Sequence, residues 1–296
     1  MAAFNGSQYI SKQIETILDQ KGIDIDLYVR VDPSEDDTLK IVEDFAQKYS
    51  NITCLKAIKP SGNAGQNFFN LLMEVDFDTY SYVAFADQDD IWSSGKIKHS
   101  INEMLNNNSD GYSGNVTAWW VSGKEKLIHK SHSQVKFDYL FESSGPGCTF
   151  LFNRALADEI KQFIRSLGDQ VKCLWLHDWF CYAFARSRGY RWYIDSIPMM
   201  KYRQHDNNSV GANSGFLAFK ERIVEVASGK AFDKVISQAE VLGLIDLLPI
   251  KLLVKRNPRS LIHLALYASQ CRRKPLDKVL FIFAMLLNSI SGEKKK

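Results

Sequence analysis

The chain has 296 residues, 45% of them hydrophobic and 24% charged, which is typical of a globular protein and excludes a fibrous or disordered one. Its five cysteines are scattered without a CxxC pair, which excludes a disulfide framework or a zinc module and favours a reducing compartment. From residue 251 to 296, 11 Lys/Arg outnumber 2 Asp/Glu, a balance of +9, whereas the rest of the chain carries −6. Such a basic region favours an anionic surface, either phospholipid or nucleic acid.

Strand and helix patterns alternate along the first hundred residues. Ile10, Ile14 and Ile17 form one apolar face of a helix, and the alternation from Ile25 to Val31 predicts a strand. The same patterns predict a helix near 39–45, a strand at 52–55, a helix at 68–75, a strand at 82–86 and a helix at 97–105. This alternation predicts an α/β fold with a doubly wound, mostly parallel sheet flanked by helices.

The composition and the secondary-structure pattern change twice along the rest of the chain. Residues 107–136 are polar and aromatic with hairpin-like spacing, and residues 137–210 return to mixed elements, including a helix that begins near His177. After Ser214 the sequence is helical and basic. The apolar run 280–287 is too short to span a membrane, which needs about 20 such residues.

Three carboxylates, those of Asp87, Asp89 and Asp90, follow directly on the predicted strand 82–86. In an open α/β sheet, ligands bind beyond the carboxyl ends of the strands. Crowded like charges are costly there unless a cation neutralises them, and Mg²⁺ or Mn²⁺ would also bridge substrate phosphates. The alternative is a solvated turn whose acids cap the next helix, but the preceding apolar strand favours a metal site.

The segment Asp87-Gln88-Asp89-Asp90-Ile91-Trp92 resembles the DxD signature of family 2 glycosyltransferases, especially their rhamnosyltransferase-like branch, whose motif reads ADQDDIW. Three more blocks agree in order and spacing. Residues 3–6 resemble the A-Y-N-G that ends the first strand, 31–38 resemble D-D-G-S-x-D-x-T, and 62–68 resemble the N-x-G-x-x-x-N-F turn. The resemblance covers about residues 1–210 and implies a single α/β domain of GT-A type.

The resemblance also implies which residues bind a nucleotide-sugar. Phe4 would stack on the donor base, Asp32 would accept from a pyrimidine N–H, and glycines at 62 and 65 would let the backbone approach the donor. The predicted nucleotide-sugar ligands are Ala3, Phe4, Asp32, Asn63, Gly65, Asn67, Asp87 and Arg203, and the predicted metal ligands are Asp87, Asp89 and His205. Taken singly these signals are weak, since an isolated Phe is more often a core residue.

The sequence departs from the family pattern at three places. Pro33 stands where the family has glycine, which stiffens the turn. Val31 replaces the first aspartate of the D-D pair, so the predicted base contact depends on Asp32 alone. The chain starts at Met1 where relatives carry more residues before A-Y-N-G, so we expect a short first strand.

A second motif, Leu176-His177-Asp178-Trp179, precedes a predicted helix and resembles the family's E-D or H-D-W motif, whose aspartate is the general base. An inverting transfer needs a carboxylate that takes the proton of the acceptor hydroxyl. Asp178 is therefore the predicted catalytic residue. The alternative is that it caps the helix, and both roles can hold together. His177 would either orient Asp178 or pack.

A third motif, residues 202–208, resembles the Y-R-Q-H-x-N-N segment of the same branch. Its Arg203 would hold the leaving diphosphate through paired hydrogen bonds. His205 would bind metal or phosphate, with a solvated histidine as the alternative. Residues 144–149 resemble a G-C-T turn of the sugar pocket, in which Cys148 is interpreted as a packing residue and not as a nucleophile.

Together these motifs predict an inverting, Mn²⁺- or Mg²⁺-dependent transfer of a sugar, with rhamnose implied by the branch. The donor would be a dTDP- or UDP-sugar, and the acceptor a glycan or lipid-linked glycan of the bacterial cell surface. One alternative is a nucleotidyltransferase, but residues 5–8 are not the glycine-rich basic loop that it would need. Another is a non-catalytic nucleotide-sugar-binding relative, against which the presence of Asp87, Asp89 and Asp178 argues.

We expect a GT-A domain at 1–213, with a nucleotide-binding half (1–106) and an acceptor half (107–213), and a basic helical extension at 214–296. The extension would either lie on an anionic membrane or pack against the catalytic domain. Membrane contact is favoured because acceptors of this class are carried on lipid. Nucleic-acid binding is not expected, since no recognised module surrounds the charge. No signal peptide opens the sequence, which predicts a cytoplasmic protein, peripheral on the inner face of the cell membrane.

Overall fold

Helices and strands alternate through residues 1–204 and 229–291, the part of the chain that this computed structural model describes. The strands are β1 (Ala2–Ala3), β2 (Leu27–Val31), β3 (Ile52–Lys56), β4 (Tyr82–Ala84), β5 (Ile91–Trp92), β6 (Gly111–Gly114), β7 (Val116–Trp120), β8 (Glu125–Ile128), β9 (Leu151–Asn153), β10 (Trp192–Asp195) and β11 (Met200–Gln204). The helices are α1 (Ile10–Leu18), α2 (Thr38–Lys48), α3 (Ala64–Glu74), α4 (Lys96–Asn106), α5 (Arg154–Leu167), α6 (His177–Ser187), α7 (Lys230–Val241), α8 (Leu248–Lys255), α9 (Pro258–Ala265), α10 (Ala268–Cys271) and α11 (Pro275–Ser291).

The first sheet, β1-β2-β3, is wholly parallel, as the alternating pattern predicted. Its apolar residues Leu27, Val29 and Val31 are buried, and α1 covers it with a buried isoleucine face. The turn before α2 satisfies the N–H of the first residue of that helix, because Asp36 Oδ1 accepts the Thr38 N–H at 3.0 Å. Parallel neighbours joined by helices are the expected consequence of this connectivity.

The second and third sheets mix parallel and antiparallel pairs. The second has the order β10-β6-β9-β4, in which β9 runs antiparallel to both of its neighbours. The third has the order β5-β11-β7-β8 and contains the β7–β8 hairpin that the spacing of residues 107–136 predicted. The α/β class is therefore confirmed, with purely parallel pairing in the first sheet. Since β4 and β5 belong to different sheets, the loop between them bridges the two.

The C-terminal helices share a core with the rest of the protein. One apolar cluster combines buried side chains of α3, α5 and α6 with those of α7 to α11. Phe281 of α11 packs edge-to-face against Phe141, with ring centroids 5.2 Å apart. Of the two alternatives for the extension, packing against the preceding domain is thus observed for its described residues.

A buried charge cluster fixes the same junction. The carboxylate of Asp138 is fully buried and accepts the Tyr182 hydroxyl at 2.8 Å. It also pairs with Arg186 at 3.2 Å and with Arg273 at 3.4 Å. A buried carboxylate requires such partners, because losing one leaves an uncompensated charge. Arg273, a residue of the basic extension, therefore points inward, which agrees with the alternative in which the extension packs against the catalytic domain.

Candidate active site

The acid loop, residues 85–90, carries its carboxylates from the end of β4 to the start of β5. Phe85 and Ala86 anchor it, since both are buried and the Phe85 N–H donates to the carbonyl of Phe150 at 3.1 Å. Asp87 follows these two residues at the carboxyl end of the strand. The predicted position beyond the strand end is therefore confirmed, although β4 ends two residues earlier than expected.

Asp87 lies among other carboxylates. Burial, followed by the negative charges of Asp89 and Asp178, raises the pKa of Asp87 to about 7. Asp178 belongs to α6, so the fold brings together acids that are 91 positions apart in the sequence. Several carboxylates around this half-buried position form an oxygen-rich donor set that fits a hard divalent cation such as Mn²⁺ or Mg²⁺.

Asp90 is a site residue that the sequence analysis did not assign. Oxygens of Asp87 and Asp90 and the sulfur of Cys148 all lie within 4.8 Å of one another. Asp90 is 1% exposed; its Oδ1 accepts the Arg203 N–H at 3.1 Å, and its Oδ2 has no hydrogen-bond partner in the described residues. Asp89 is not in this tight group, so its role as a metal ligand stays a prediction.

Cys148 and Lys96 form the inner wall behind these acids. Burial, together with Asp90 and Asp87, raises the pKa of the Cys148 thiol well above its usual range, so the group is neutral and unsuited to nucleophilic attack. The Lys96 ammonium lies 3.6 Å from the centre of the Trp92 ring. Burial lowers the pKa of Lys96 to about 8 although the neighbouring acids act against it. Lys96 therefore offsets part of the negative charge from the inside.

Arg203 of β11 holds the acid loop in place. Its Nε donates to the carbonyl of Asp89 at 2.7 Å. The guanidinium lies between the rings of Tyr9 and Trp119, 4.4 and 4.5 Å from their centres. Stacking and hydrogen bonding of this kind fix a planar cation firmly. The predicted diphosphate contact of Arg203 stays a prediction, and His205 lies outside the described residues.

Asp178 lies in the first turn of α6, and it is not the N-cap. That position belongs to Leu176, whereas Asp178 Oδ1 accepts the N–H of Trp179 at 2.6 Å. Burial raises the pKa of Asp178 to about 6. A carboxylate whose pKa lies close to neutral pH is suited to general-base catalysis, because it binds a proton more readily than an ordinary aspartate.

His177 packs in the core and does not orient Asp178. Its ring stacks on Phe68, with centroids 4.0 Å apart, and lies edge-to-face against Phe85. Neither ring nitrogen has a hydrogen-bond partner in the described residues. Burial lowers the pKa of His177 to about 3, so the ring is neutral. Of the two alternatives stated for His177, the structure favours packing.

Asp32 is buried in a hydrogen-bond network beside the first strand. Its Oδ1 accepts from Arg30 Nη1 at 2.9 Å and from Ser61 Oγ at 2.8 Å, and its Oδ2 accepts the Ser61 N–H at 2.9 Å. Asn67 accepts from the same guanidinium at 2.9 Å and donates to the carbonyl of Ala3 at 3.4 Å. Both carboxylate oxygens of Asp32 already accept hydrogen bonds, which leaves few lone pairs for the predicted contact with the base. Asn67 is held by Arg30 on one side and by Ala3 on the other.

Asn63 and Gly65 shape the start of α3. Asn63 is its N-cap and accepts the Gln66 N–H at 2.9 Å, which is the expected role of an asparagine there. A Cβ on Gly65 would lie 2.9 Å from the carbonyl oxygen of Trp175. Glycine at 65 thus lets α3 approach the segment before Asp178, whereas its predicted contact with the donor stays a prediction.

Gln88, which the sequence analysis left without a role, connects the acid loop to Phe4. Its Oε1 accepts the Phe4 N–H and its Nε2 donates to the Phe4 carbonyl, both at 2.9 Å. The ring of Phe4 is 53% exposed and is free to stack on a planar ligand. A Cβ on Gly6 would fall 2.2 Å from Gln88 Oε1, so a larger residue there would displace the Gln88 side chain. Gln88 thereby fixes Phe4 relative to the acids.

Comparison with known proteins connects this geometry to a family. The family described as Glycosyl transferase family 2 matches residues 1–161, which include the acid loop and end before α6. The dTDP-rhamnosyl transferase RfbG of Shigella flexneri is 41% identical over 301 residues, covering 97% of this chain and 99% of that protein. The UDP-Glc:alpha-D-GlcNAc-diphosphoundecaprenol beta-1,3-glucosyltransferase WfgD of Escherichia coli is 26% identical, covering 82% of this chain and 83% of that protein.

Among solved structures, residues 1–349 of S. aureus TarS superpose with a TM-score of 0.53 and 14% identity. The superposition covers 100% of this chain and 90% of the TarS chain. At this level of identity the likeness concerns the fold alone, and it extends beyond the acid loop to the C-terminal helices.

Proposed function

Because this chain belongs to glycosyl transferase family 2 and is a glycosyltransferase of GT-A type, we propose that it transfers rhamnose from dTDP-rhamnose with inversion. The acceptor is a hydroxyl of a lipid-linked precursor of a bacterial cell-surface polysaccharide. One observation carries the proposal: Asp178 of α6 lies close enough to Asp87 of the acid loop to raise its pKa. A base for the acceptor and acids for the donor diphosphate thus share one site.

The relatives support the choice of donor and acceptor. RfbG is named a dTDP-rhamnosyl transferase and is similar to this chain along almost its whole length. WfgD is named for transfer to a sugar that is carried on diphosphoundecaprenol, which is a lipid. We infer the donor from the first relative, which is more similar, and the class of acceptor from the second.

Asp178 performs the central step of the proposed mechanism. Its carboxylate takes the proton of the acceptor hydroxyl while that oxygen bonds to the anomeric carbon and the bond from this carbon to the diphosphate oxygen breaks. Attack from the face opposite the leaving group inverts the anomeric centre. Phe4 stacks on the thymine, Asp32 supports the base pocket, and Arg203 binds the leaving diphosphate.

Asp87 and Asp89, with His205, would hold the divalent cation. When bound, Mn²⁺ or Mg²⁺ supplies positive charge that offsets the charge developing on the diphosphate. Two features support this assignment: the oxygen-rich surroundings of Asp87 and the raised pKa of its carboxyl. Lys96 and Cys148 line the inner side of the site and need not contact substrate.

We also propose that residues 1–213 form the catalytic domain, with a nucleotide-binding half (1–106) and an acceptor half (107–213). Residues 214–296 form a basic extension, and its described residues 229–291 pack upon the domain as helices. The protein works at the cytoplasmic face of the cell membrane, where a lipid-linked acceptor would lie.

A ligand screen tests the proposal directly. With Mn²⁺ present, dTDP-rhamnose should raise the melting temperature more than UDP-glucose or free dTDP, and it should be hydrolysed slowly to dTDP. A ligand at a hundred times its Kd stabilises by about 2.7 kcal/mol, which a thermal shift detects easily. Stabilisation by the sugar nucleotide without hydrolysis or transfer would favour a non-catalytic binding protein. Turnover of a nucleoside triphosphate would favour a nucleotidyltransferase.

Gln88→Ala should weaken donor binding more than turnover. The substitution removes both hydrogen bonds that hold the Phe4 backbone, and two such bonds at about 1 kcal/mol each predict a roughly thirtyfold higher KM for dTDP-rhamnose. Steady-state kinetics at saturating Mn²⁺ measures the effect. Gln134→Ala, which removes a hydrogen bond to the carbonyl of Trp192, is the matched control and should leave KM unchanged. An unaltered KM in Gln88→Ala would show that Phe4 does not bind the base.

A further inference from the structure

The outer side of α11 is apolar from one end to the other. Seven of its large apolar side chains are 38–69% exposed, and six of these recur at helical spacing, so that they form one stripe. This α11 stripe consists of Leu276, Val279, Leu280, Phe283, Leu286 and Ile290. Contiguous apolar surface of this kind is rare on a monomeric protein. The stripe therefore indicates a binding surface for a membrane or for another protein.

The polar residues of α11 lie away from the stripe. Ser289 is 6% exposed and its hydroxyl donates to the carbonyl of Leu286 at 2.7 Å. Asn288 donates to the carbonyl of Ala284 at 2.9 Å, and Asp277 pairs with Arg272 at 3.4 Å. A helix at a water-facing surface has the opposite arrangement, with polar groups outside. The sequence of α11 is therefore unsuited to an outer side in water.

The buried side of α11 is also apolar, because Phe281 and Met285 pack into the core shared with the catalytic domain. The helix thus has an inner face that is covered and an outer face that the described residues leave exposed. No helix of the described residues is long and apolar enough to cross a membrane, and α11 itself has 17 residues. The outer face can therefore contact a bilayer only from the side.

We propose that the α11 stripe inserts into the surface of an anionic lipid bilayer, with α11 parallel to the membrane plane. This inference deepens the proposed function and rests on its lipid-linked acceptor. Helices that lie in a membrane interface have one apolar face and a basic surrounding. The stripe provides the apolar face, and the region from residue 251 onward carries a balance of +9 within its own sequence, of which Arg273 is paired inward with Asp138.

The distribution of charge favours lipid over a second copy of the chain. Lys274 precedes α11 and Lys278 lies in its first turn. Neither forms an ion pair with any described residue, so they can contact anionic headgroups. A symmetric dimer through the stripe would instead bring two strongly basic regions together, and like charges across an interface oppose association. An anionic bilayer satisfies both the apolar stripe and the surrounding positive charge.

Vesicle sedimentation with point variants tests the inference. Deletion of the helix is unsuitable, because it would remove Arg273 from the buried carboxylate of Asp138. The double variant Val279→Ser/Phe283→Ser should bind vesicles of phosphatidylethanolamine and phosphatidylglycerol at least about tenfold more weakly than the wild type. The matched control Ile58→Ser/Val121→Ser removes two even more exposed apolar side chains elsewhere and should bind normally.

A third variant separates charge from apolar contact. Lys274→Gln/Lys278→Gln should weaken binding to these vesicles and leave the weaker binding to pure phosphatidylcholine vesicles unchanged. Equal binding by the wild type and the serine double variant would overturn the inference. It would also be overturned if the wild type sedimented as a dimer that the serine variant dissociated, since the stripe would then be a contact between copies.

Hydrolysis of dTDP-rhamnose in the absence of vesicles distinguishes this inference from the proposed function. The serine double variant should retain the wild-type rate and melting temperature, because the stripe lies outside the core. A wild type that binds vesicles without acting on dTDP-rhamnose would contradict the proposed donor and leave membrane docking intact.

Discussion

Asp178→Asn should lower turnover by about 10²–10⁴-fold while donor and metal affinity stay almost unchanged, since general-base catalysis contributes an effect of that size. Asparagine can still accept the Trp179 N–H through its amide oxygen, so α6 should stay intact. Turnover and donor affinity of the purified variant measure the two quantities separately. Turnover within a few-fold of the wild type would mean that the base is another group.

The pH dependence provides an independent check on Asp178. Because burial raises its pKa to about 6, turnover of the wild type should fall about tenfold per pH unit below 6, and the variant should lack this dependence. A carboxyl whose pKa is raised on folding lowers stability at pH values above it. At pH 8 the variant should therefore melt no earlier than the wild type. Asp169→Asn, at an exposed side chain, is the control and should change neither property.

Removal of divalent metal with EDTA should abolish transfer, and Mn²⁺ or Mg²⁺ should restore it. Asp89→Ala should stay inactive when metal is added back, because it would lack one of the proposed ligands. Donor turnover during titration with Mn²⁺ measures both effects. Full activity of the wild type in EDTA would contradict the metal assignment.

The proton on Asp87 should compete with the metal. Burial and the neighbouring acids raise the pKa of Asp87 to about 7, so below that pH a proton must leave before a cation can bind. Apparent Mn²⁺ affinity should accordingly fall about tenfold per pH unit below 7 and level off above it. Asp76→Ala, outside the acid loop, provides a control that should follow the wild-type curve.

Local sequence patterns were sufficient to predict most helices and strands. The isoleucine spacing of α1 and the alternation of β2 each follow from burial of one face, which depends on residues close together in the chain. The apolar run at 82–86 likewise predicted a buried strand, and this placed Asp87 directly after the end of that strand. The family resemblance then added Asp178, which no local pattern could have connected to Asp87.

Contacts between distant segments could not be predicted from spacing. Gln88 meets Phe4 across 84 residues, and nothing in either segment indicates the partner. An aspartate at position 32 is a suitable residue for a base contact. Its hydrogen bonds with Arg30 and Ser61, however, depend on contacts between separate segments, which the local sequence does not indicate. Asp90 was not predicted as a site residue, because the DxD pattern assigns the ligand role only to Asp87 and Asp89.

The buried Asp138 cluster has a consequence for how the protein is made. Asp138 and Arg273 are separated by 135 residues, which a ribosome adds in roughly 7 to 27 s at about 5–20 residues per second. Once Arg186 has been added, the nascent chain holds Asp138 and its first arginine partner, but it lacks Arg273 for the rest of that interval. The proposed catalytic domain therefore completes its core only after the C-terminal helices have been synthesised. The time that translation takes thus sets the earliest moment at which active enzyme can appear.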